Sequence, residues 1–179
     1  MSDEDPSKIL RLLLAFFGES RLPECREIAP SDVPPPFHSL LVHDNHMTVT
    51  LEEYFGKRVI VRPYQVHRVG DLYGRKLDLL LEGNGRVVMT GAMLFNLSTV
   101  SPEVGALILE QKTPLGRILI EHDILRTISG GTYVRIEPTD PLAARFGNPD
   151  PVACYGRLAT IFCDGKPAVD LLEIVTPTA

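Results

Sequence analysis

The sequence has no surplus of basic residues, few cysteines and no long apolar run, and each lack removes a class of function. Lys and Arg number 18 against 23 Asp and Glu, a formal net charge of −5. A nucleic-acid surface needs clustered cations, so no nucleic-acid partner is expected. The three cysteines, Cys25, Cys154 and Cys163, are an odd count at wide spacing. They show neither the C-x-x-C spacing of a zinc site nor the framework of a secreted domain, and read as reduced thiols of a cytoplasmic protein. The start "MSDEDPSK" is acidic where a signal peptide is basic, and "ILRLLLAFF" is too short to span a bilayer and contains Arg11. No membrane span is expected. Also missing are the G-x-G-x-x-G and G-x-x-x-x-G-K-[ST] loops for nucleotide phosphates, the G-x-S-x-G elbow of a serine hydrolase and any internal repeat.

What is present is a chain of 179 residues, 44% hydrophobic, which by size is one domain spanning 1–179. Its 15 prolines fall between periodic segments and mark turns. Residues 1–40 hold a helix, "DPSKILRLLLAFFGES", with Asp5 as cap, Pro6 at its first position and Gly18 as stop. A proline-rich surface loop, "RLPECREIAPSDVPPP", follows. "PFHSLLVH" and "TVTLEEYFG" are short helices, the second with Thr50 and Glu53 at capping-box spacing and Gly56 as its stop.

Then the pattern changes. "RVIVRPYQVHRV" is rich in β-branched and aromatic residues, and "KLDLLLEGNGRVVMTGAMLFNL" is two apolar runs joined by a hairpin turn. "SPEVGALILEQ" has Ser101 and Pro102 as helix-starting chemistry, and "TPLGRILIEH" continues as a second short helix. "ILRTISGG", "TYVRIEP", "ACYGRLATIFC" and "KPAVDLLEIVT" read as strands, the last two joined by the turn "DGKP". Hairpin-linked strands with helices gathered near the start and in one insertion give an α+β fold, an antiparallel sheet with helices on one face or end.

Two places draw attention as chemistry. In "HDNHMT", His43 and His46 stand three apart around Asp44 and Asn45. A metal site needs a third ligand, and His38, His67 and His122 offer no partner spacing such as H-E-x-x-H, so the stretch reads as a polar loop turning the chain between helices. Glu173 lies inside the apolar strand "DLLEIV", on the same face as Leu171 and Val175 by period 2. A carboxylate there either is solvated or demands a partner. Arg157 on the preceding strand is within reach, and Arg126 and Arg75 are further cations near strands.

The blocks "MTVTLEEYFGKRVIV", "TPLGRILI" followed by "DILRTI", and "YGRLATIFCDGKPAVDLLEIV" resemble, in order and spacing from about residue 40 to 177, the chorismate pyruvate-lyase (4-hydroxybenzoate synthase) family. The resemblance implies a roughly six-stranded antiparallel sheet with helical flaps over an internal ligand cavity. It implies a carbon–oxygen lyase that removes pyruvate from chorismate or a close analogue to leave a hydroxybenzoate, without metal or organic cofactor. Aromatisation drives such a reaction, so the site has to hold the substrate and stabilise the departing charge. Carried over by position, the backbone amides of Met47 and Leu115 and an arginine hold the carboxylate, and Glu173 holds the hydroxyl. An ungapped alignment from the hairpin turn puts Leu77 at the arginine position; a hairpin two residues longer puts Arg75 there, and both point to the same face. Arg157 and Arg126 are further substrate-binding candidates, although Leu158 stands where the family commonly has a second arginine. In that case Arg157 supports the sheet or Glu173 instead. The same fold also serves as the effector-sensing domain of bacterial transcription regulators, behind a winged-helix DNA-binding domain that is not expected in these residues. The alternative is therefore a non-catalytic protein that binds a small aromatic acid.

Overall fold

The computed structural model describes residues 10, 15, 24–129, 131–137, 145–146 and 152–175. The N-terminal helix expected over 5–20 falls outside them except for Leu10 and Ala15, both helical. The rest is one α+β unit built on an antiparallel sheet. Its strands are β1 (Cys25–Ile28), β2 (Val59–Val69), β3 (Leu72–Leu81), β4 (Val87–Asn96), β5 (Arg126–Ile128), β6 (Thr132–Ile136), β7 (Cys154–Cys163) and β8 (Lys166–Val175). They lie in the order β1-β6-β7-β8-β4-β3-β2, with β5 paired to β7 beyond the end of β6. The helices are α1 (Phe37–Leu41), α2 (Met47–Phe55), α3 (Pro102–Leu109) and α4 (Leu115–Glu121). Among the described residues no helix is long and apolar enough to cross a membrane.

Three expectations need correction. The sheet has eight strands where the resemblance implies about six; β5 lies in "ILRTISGG", which reads as a strand, and β1 is the one the sequence pattern does not indicate. β1 arises within the segment expected to be a loop, because pairing with β6 satisfies its backbone whatever its side-chain pattern. Finally, α2 starts at Met47, so Thr50 and Glu53 lie inside the helix and are not its capping box; His46 is the N-cap and its side chain caps nothing. The hairpin turns are as the sequence indicates. Between β7 and β8, Asp164 and Gly165 both take positive φ (49° and 76°), as a twisted two-residue turn requires.

One sheet face carries α1 to α4, in two apolar clusters. α1 and α2 pack through Leu40, Leu41, Met47 and Leu51 on Val61, Leu77, Leu79 and Met89. α3 and α4 pack through Val104, Ile108, Ile118 and Leu119 on Tyr73, Met93, Phe95, Ile161 and Leu171. The seam between the clusters is hollow, and the register explains why. One cross-strand row reads Leu77, Gly91, Glu173, Arg157 from β3 to β7, so its centre has no side chain. Gly91 is required there: a Cβ would sit 2.3 Å from the Leu172 carbonyl oxygen on the neighbouring strand.

Candidate functional site

The hollow is a cavity with about 530 Å³ of atom-free space when the solvent at its open mouth is counted. Its floor is the row of Leu77, Gly91 and Glu173 with Arg75 one step along β3. Its roof is the first turn of α2 (His46, Met47) and of α4 (Leu115, Gly116). Four residues expected from sequence, Met47, Arg75, Leu115 and Glu173, thus line one space. Leu77 lines it too, but as apolar wall; the cation is Arg75.

Arg75 is 1% exposed. Among the described residues its Nε and Nη1 have no hydrogen-bond partner, nor has the nearby Tyr73 hydroxyl. Burial pulls the guanidinium below its ordinary pKa, with Tyr73 opposing the shift, yet an arginine stays charged. A buried cation lacking a counter-charge is rare because desolvation is expensive. Here it faces an apolar cavity, so an entering carboxylate supplies both the missing charge and the missing acceptors.

Glu173 is already half engaged. Its Oε2 accepts from Arg157 Nε at 2.6 Å. The rest of the Arg157 guanidinium does not line the cavity. Nη1 donates to the carbonyls of His43 at 2.8 Å and Leu41 at 3.4 Å, and Nη2 to that of Asn45 at 3.1 Å. Arg157 therefore ties Glu173 to the loop that presents Met47, and acts as a support. Arg126 is not brought to the cavity either; it lines a separate outer pocket.

The "HDNH" histidines resolve into two different parts. His43 Nε2 lies 2.8 Å from the Leu40 carbonyl, while Nδ1 accepts from the Asn45 amide at 3.1 Å and faces Arg157 Nη1 at 3.3 Å. That arrangement calls for the neutral tautomer with the proton on Nε2, and burial followed by the Arg157 charge lowers its pKa. His46 is 8% exposed. Its ring packs on α4, so that a Cβ at Gly116 would meet it at 3.0 Å, and among the described residues its Nε2 has no partner. Burial first, then the charge of Arg126, lowers its pKa from 6.5 to about 4. Among the described residues no group of three or more His, Cys, Asp or Glu is placed to hold a metal ion.

The His46 shift has a measurable consequence. Between pH 4 and 6.5 the unfolded chain binds a proton that the folded chain refuses, so stability rises with pH across that window. The contribution is complete above the upper value and is lost as the pH falls towards the lower one, reaching about 3 kcal/mol, with His43 acting in the same direction. Urea unfolding of wild type and His46→Gln across this range is expected to show a clearly flatter pH dependence in the variant. Equal slopes would mean that another group titrates.

Two features escaped sequence reasoning. Gly91 had a signal, an isolated glycine within an apolar strand, which points to close backbone approach. The other had none: Arg117 on α4 pairs with Glu52 on α2, whose Oε1 also accepts from the Val59 amide at 2.9 Å. This joins the two roof helices across 65 residues of sequence.

The fold is shared with known proteins. The chain superposes on PhnF from Mycobacterium smegmatis with a TM-score of 0.51 at 11% identity, over 74% of this chain and 64% of that one. On the effector domain of PhnF alone the TM-score is 0.52 at 11% identity, over 74% of this chain and 88% of that one. Gene product SA0254 of Staphylococcus aureus gives 0.53 at 8% identity, over 75% and 90% of the two chains. The chain thus spans less than two thirds of the PhnF chain and most of its effector domain. No family model and no curated protein matches it. At these identities the likeness is one of fold, the chorismate lyase-like α+β fold, and does not extend to an activity.

Proposed function

We propose that this protein binds a small aromatic carboxylic acid in the cavity and works through that binding, as a sensor or carrier does, without turnover. The observation that carries this reading is the buried guanidinium of Arg75 facing the cavity, its Nε and Nη1 unpaired among the described residues. The ligand carboxylate pairs with Arg75, and its ring lies over Gly91 between Leu77 and Leu171. The first amides of α2 and α4, at Met47 and Leu115, have no intrahelical partner and no side-chain cap, so they are available to the ligand. Glu173 Oε1 accepts a ring hydroxyl. The bond from Arg157 Nε to Oε2 orients Glu173 as a hydrogen-bond acceptor, which suits it to recognition. That this fold also serves as the effector domain of PhnF supports the non-catalytic reading.

Micromolar binding of a hydroxybenzoate needs about −8 kcal/mol, or roughly 0.8 kcal/mol for each of its about ten non-hydrogen atoms, within the limit for small ligands. Titration calorimetry with 4-hydroxybenzoate is expected to show one site in the micromolar range, and incubation with chorismate no pyruvate above the spontaneous rate. If no aromatic acid binds, the reading fails. Pyruvate release would establish the second reading, a chorismate pyruvate-lyase, which is favoured by Met47, Arg75, Leu115 and Glu173 meeting on one cavity.

A further inference from the structure

One buried polar atom at the cavity is left unused by a ligand with a single ring hydroxyl. The His46 ring forms part of the roof. It is 8% exposed, and among the described residues its Nε2 has no hydrogen-bond partner. A buried nitrogen in that state carries the full cost of its desolvation, so it calls for a partner. At Arg75 the missing partner is the ligand carboxylate. His46 calls for a different group, because its pKa lies at about 4: at neutral pH the ring offers one N–H and one lone pair, and no charge.

The placing of the ring decides which part of a ligand reaches it. A Cβ at Gly116 on α4 would stand 3.0 Å from the Cβ and Cγ of His46 and 3.1 Å from its Nδ1. The Cγ–Nδ1 side of the ring therefore rests on α4, and Nε2, the vertex opposite that bond, is turned away from it. His46 also borders a broad outer pocket open to solvent, but a nitrogen turned that way would be wetted, and Nε2 is buried. Arg75 Nε and Nη1, at the same inner cavity, are buried in the same manner. Along the cavity the ring lies toward Glu173: the charges acting on it are those of Arg126, Glu173 and Arg157, and Arg75 is not among them. With a ligand carboxylate on Arg75 and its hydroxyl on Glu173, the ring position beside that hydroxyl is the one that His46 meets.

We propose that His46 is a specificity-determining residue whose Nε2 bonds a second ring hydroxyl, adjacent to the one held by Glu173, so that the preferred ligand is an acid of the 3,4-dihydroxybenzoate type. This rests on the cavity being an aromatic-acid site, and adds a second polar substituent at a stated position. A hydroxyl suits either tautomer of His46, since it can donate to a lone pair or accept from an N–H. An alkyl group of the same size suits neither, and leaves Nε2 desolvated and unpaired.

Calorimetry on the full chain compares 3,4-dihydroxybenzoate with 4-hydroxy-3-methylbenzoate, which fills the same space without the second hydroxyl. Wild type is expected to bind the dihydroxy acid roughly 10-fold more tightly, the worth of one buried hydrogen bond. In His46→Phe, which keeps a ring against Gly116 and removes both nitrogens, the ratio is expected to fall to about one. In His46→Gln, whose side-chain amide can still donate and accept, it is expected to stay well above one. A wild-type ratio near one overturns the proposal. So does a ratio unchanged in His46→Phe, which would give the second hydroxyl to another group. If 4-hydroxybenzoate binds and neither outcome favours the second hydroxyl, the His46 contact is refuted and the aromatic-acid site stands. If none of the three acids binds, the site has failed and the His46 contact with it.

Discussion

Replacing Arg75 by Met will raise the melting temperature of the ligand-free protein and abolish its binding of aromatic acids. Both effects come from one fact, a guanidinium at 1% exposure whose Nε and Nη1 have no partner among the described residues. Desolvating an ion costs several kcal/mol even after relaxation, and among the described residues no carboxylate pairs with Arg75 to offset that cost. Met has similar length, carries no charge and suits walls made of Leu77, Met93 and Leu171. Because the cavity opens to solvent at its mouth, part of the penalty is already relieved, so the gain is set at about 1–3 kcal/mol. For a chain of this size that is a rise of roughly 3–10 °C. The affinity moves the other way. Removing one partner of a buried, hydrogen-bonded charge pair costs about 2–5 kcal/mol, a loss of 30-fold or more. In a thermal scan, wild type shifts upward with 4-hydroxybenzoate by mass action, whereas the variant starts higher and does not shift. A variant that is less stable than wild type and still binds the acid would show that Arg75 is structural and the anion site lies elsewhere.

The same residue shows how far the sequence was legible. Period 2 placed residues 75 and 77 on one face without a structure, and that face is the cavity's. It could not say which of the two supplies the charge at the right depth, because that depends on the register with β4, where Arg75 meets Met93 and Leu77 meets Gly91. The hairpins were legible because their turns carry glycines at positive φ, as at Gly83 and Gly85. β1 was not, since a four-residue edge strand needs only a partner and no pattern of its own. The start of α2 was misplaced for a related reason: Thr50 and Glu53 match a local cap signature, but tertiary packing begins the helix at Met47. Least legible was Arg157, whose loop acceptors lie 112 to 116 residues away in sequence.

Those acceptors make the expected cost of breaking the Arg157–Glu173 pair unequal from its two ends. Arg157→Met removes the bond to Glu173 and all three bonds to the loop, and leaves a carboxylate of 11% side-chain exposure without its cation. Stranding a buried charge in this way costs about 3–5 kcal/mol. Glu173→Leu is gentler, since Arg157 keeps the carbonyls of Leu41, His43 and Asn45 as acceptors; a loss of about 1–2 kcal/mol is expected, near the worth of one charged hydrogen bond. The double variant removes both charges together, so its loss is expected to fall well below the sum of the single losses, while exceeding that of Glu173→Leu because the loop bonds of Arg157 go too. Urea unfolding of the four proteins supplies the cycle. Equal single losses, or a strictly additive double variant, would show that the pair is not coupled and that the loop does not depend on Arg157. Binding separates the two roles further. In Arg157→Met the amide of Met47 loses the anchor of its loop, so a benzoate without any hydroxyl weakens too. In Glu173→Leu the loop is still held, so affinity falls for hydroxylated acids and changes little for benzoate. A hydroxyl-selective loss in Glu173→Leu with a general loss in Arg157→Met is the pattern that assigns recognition to Glu173 and presentation of the site to Arg157.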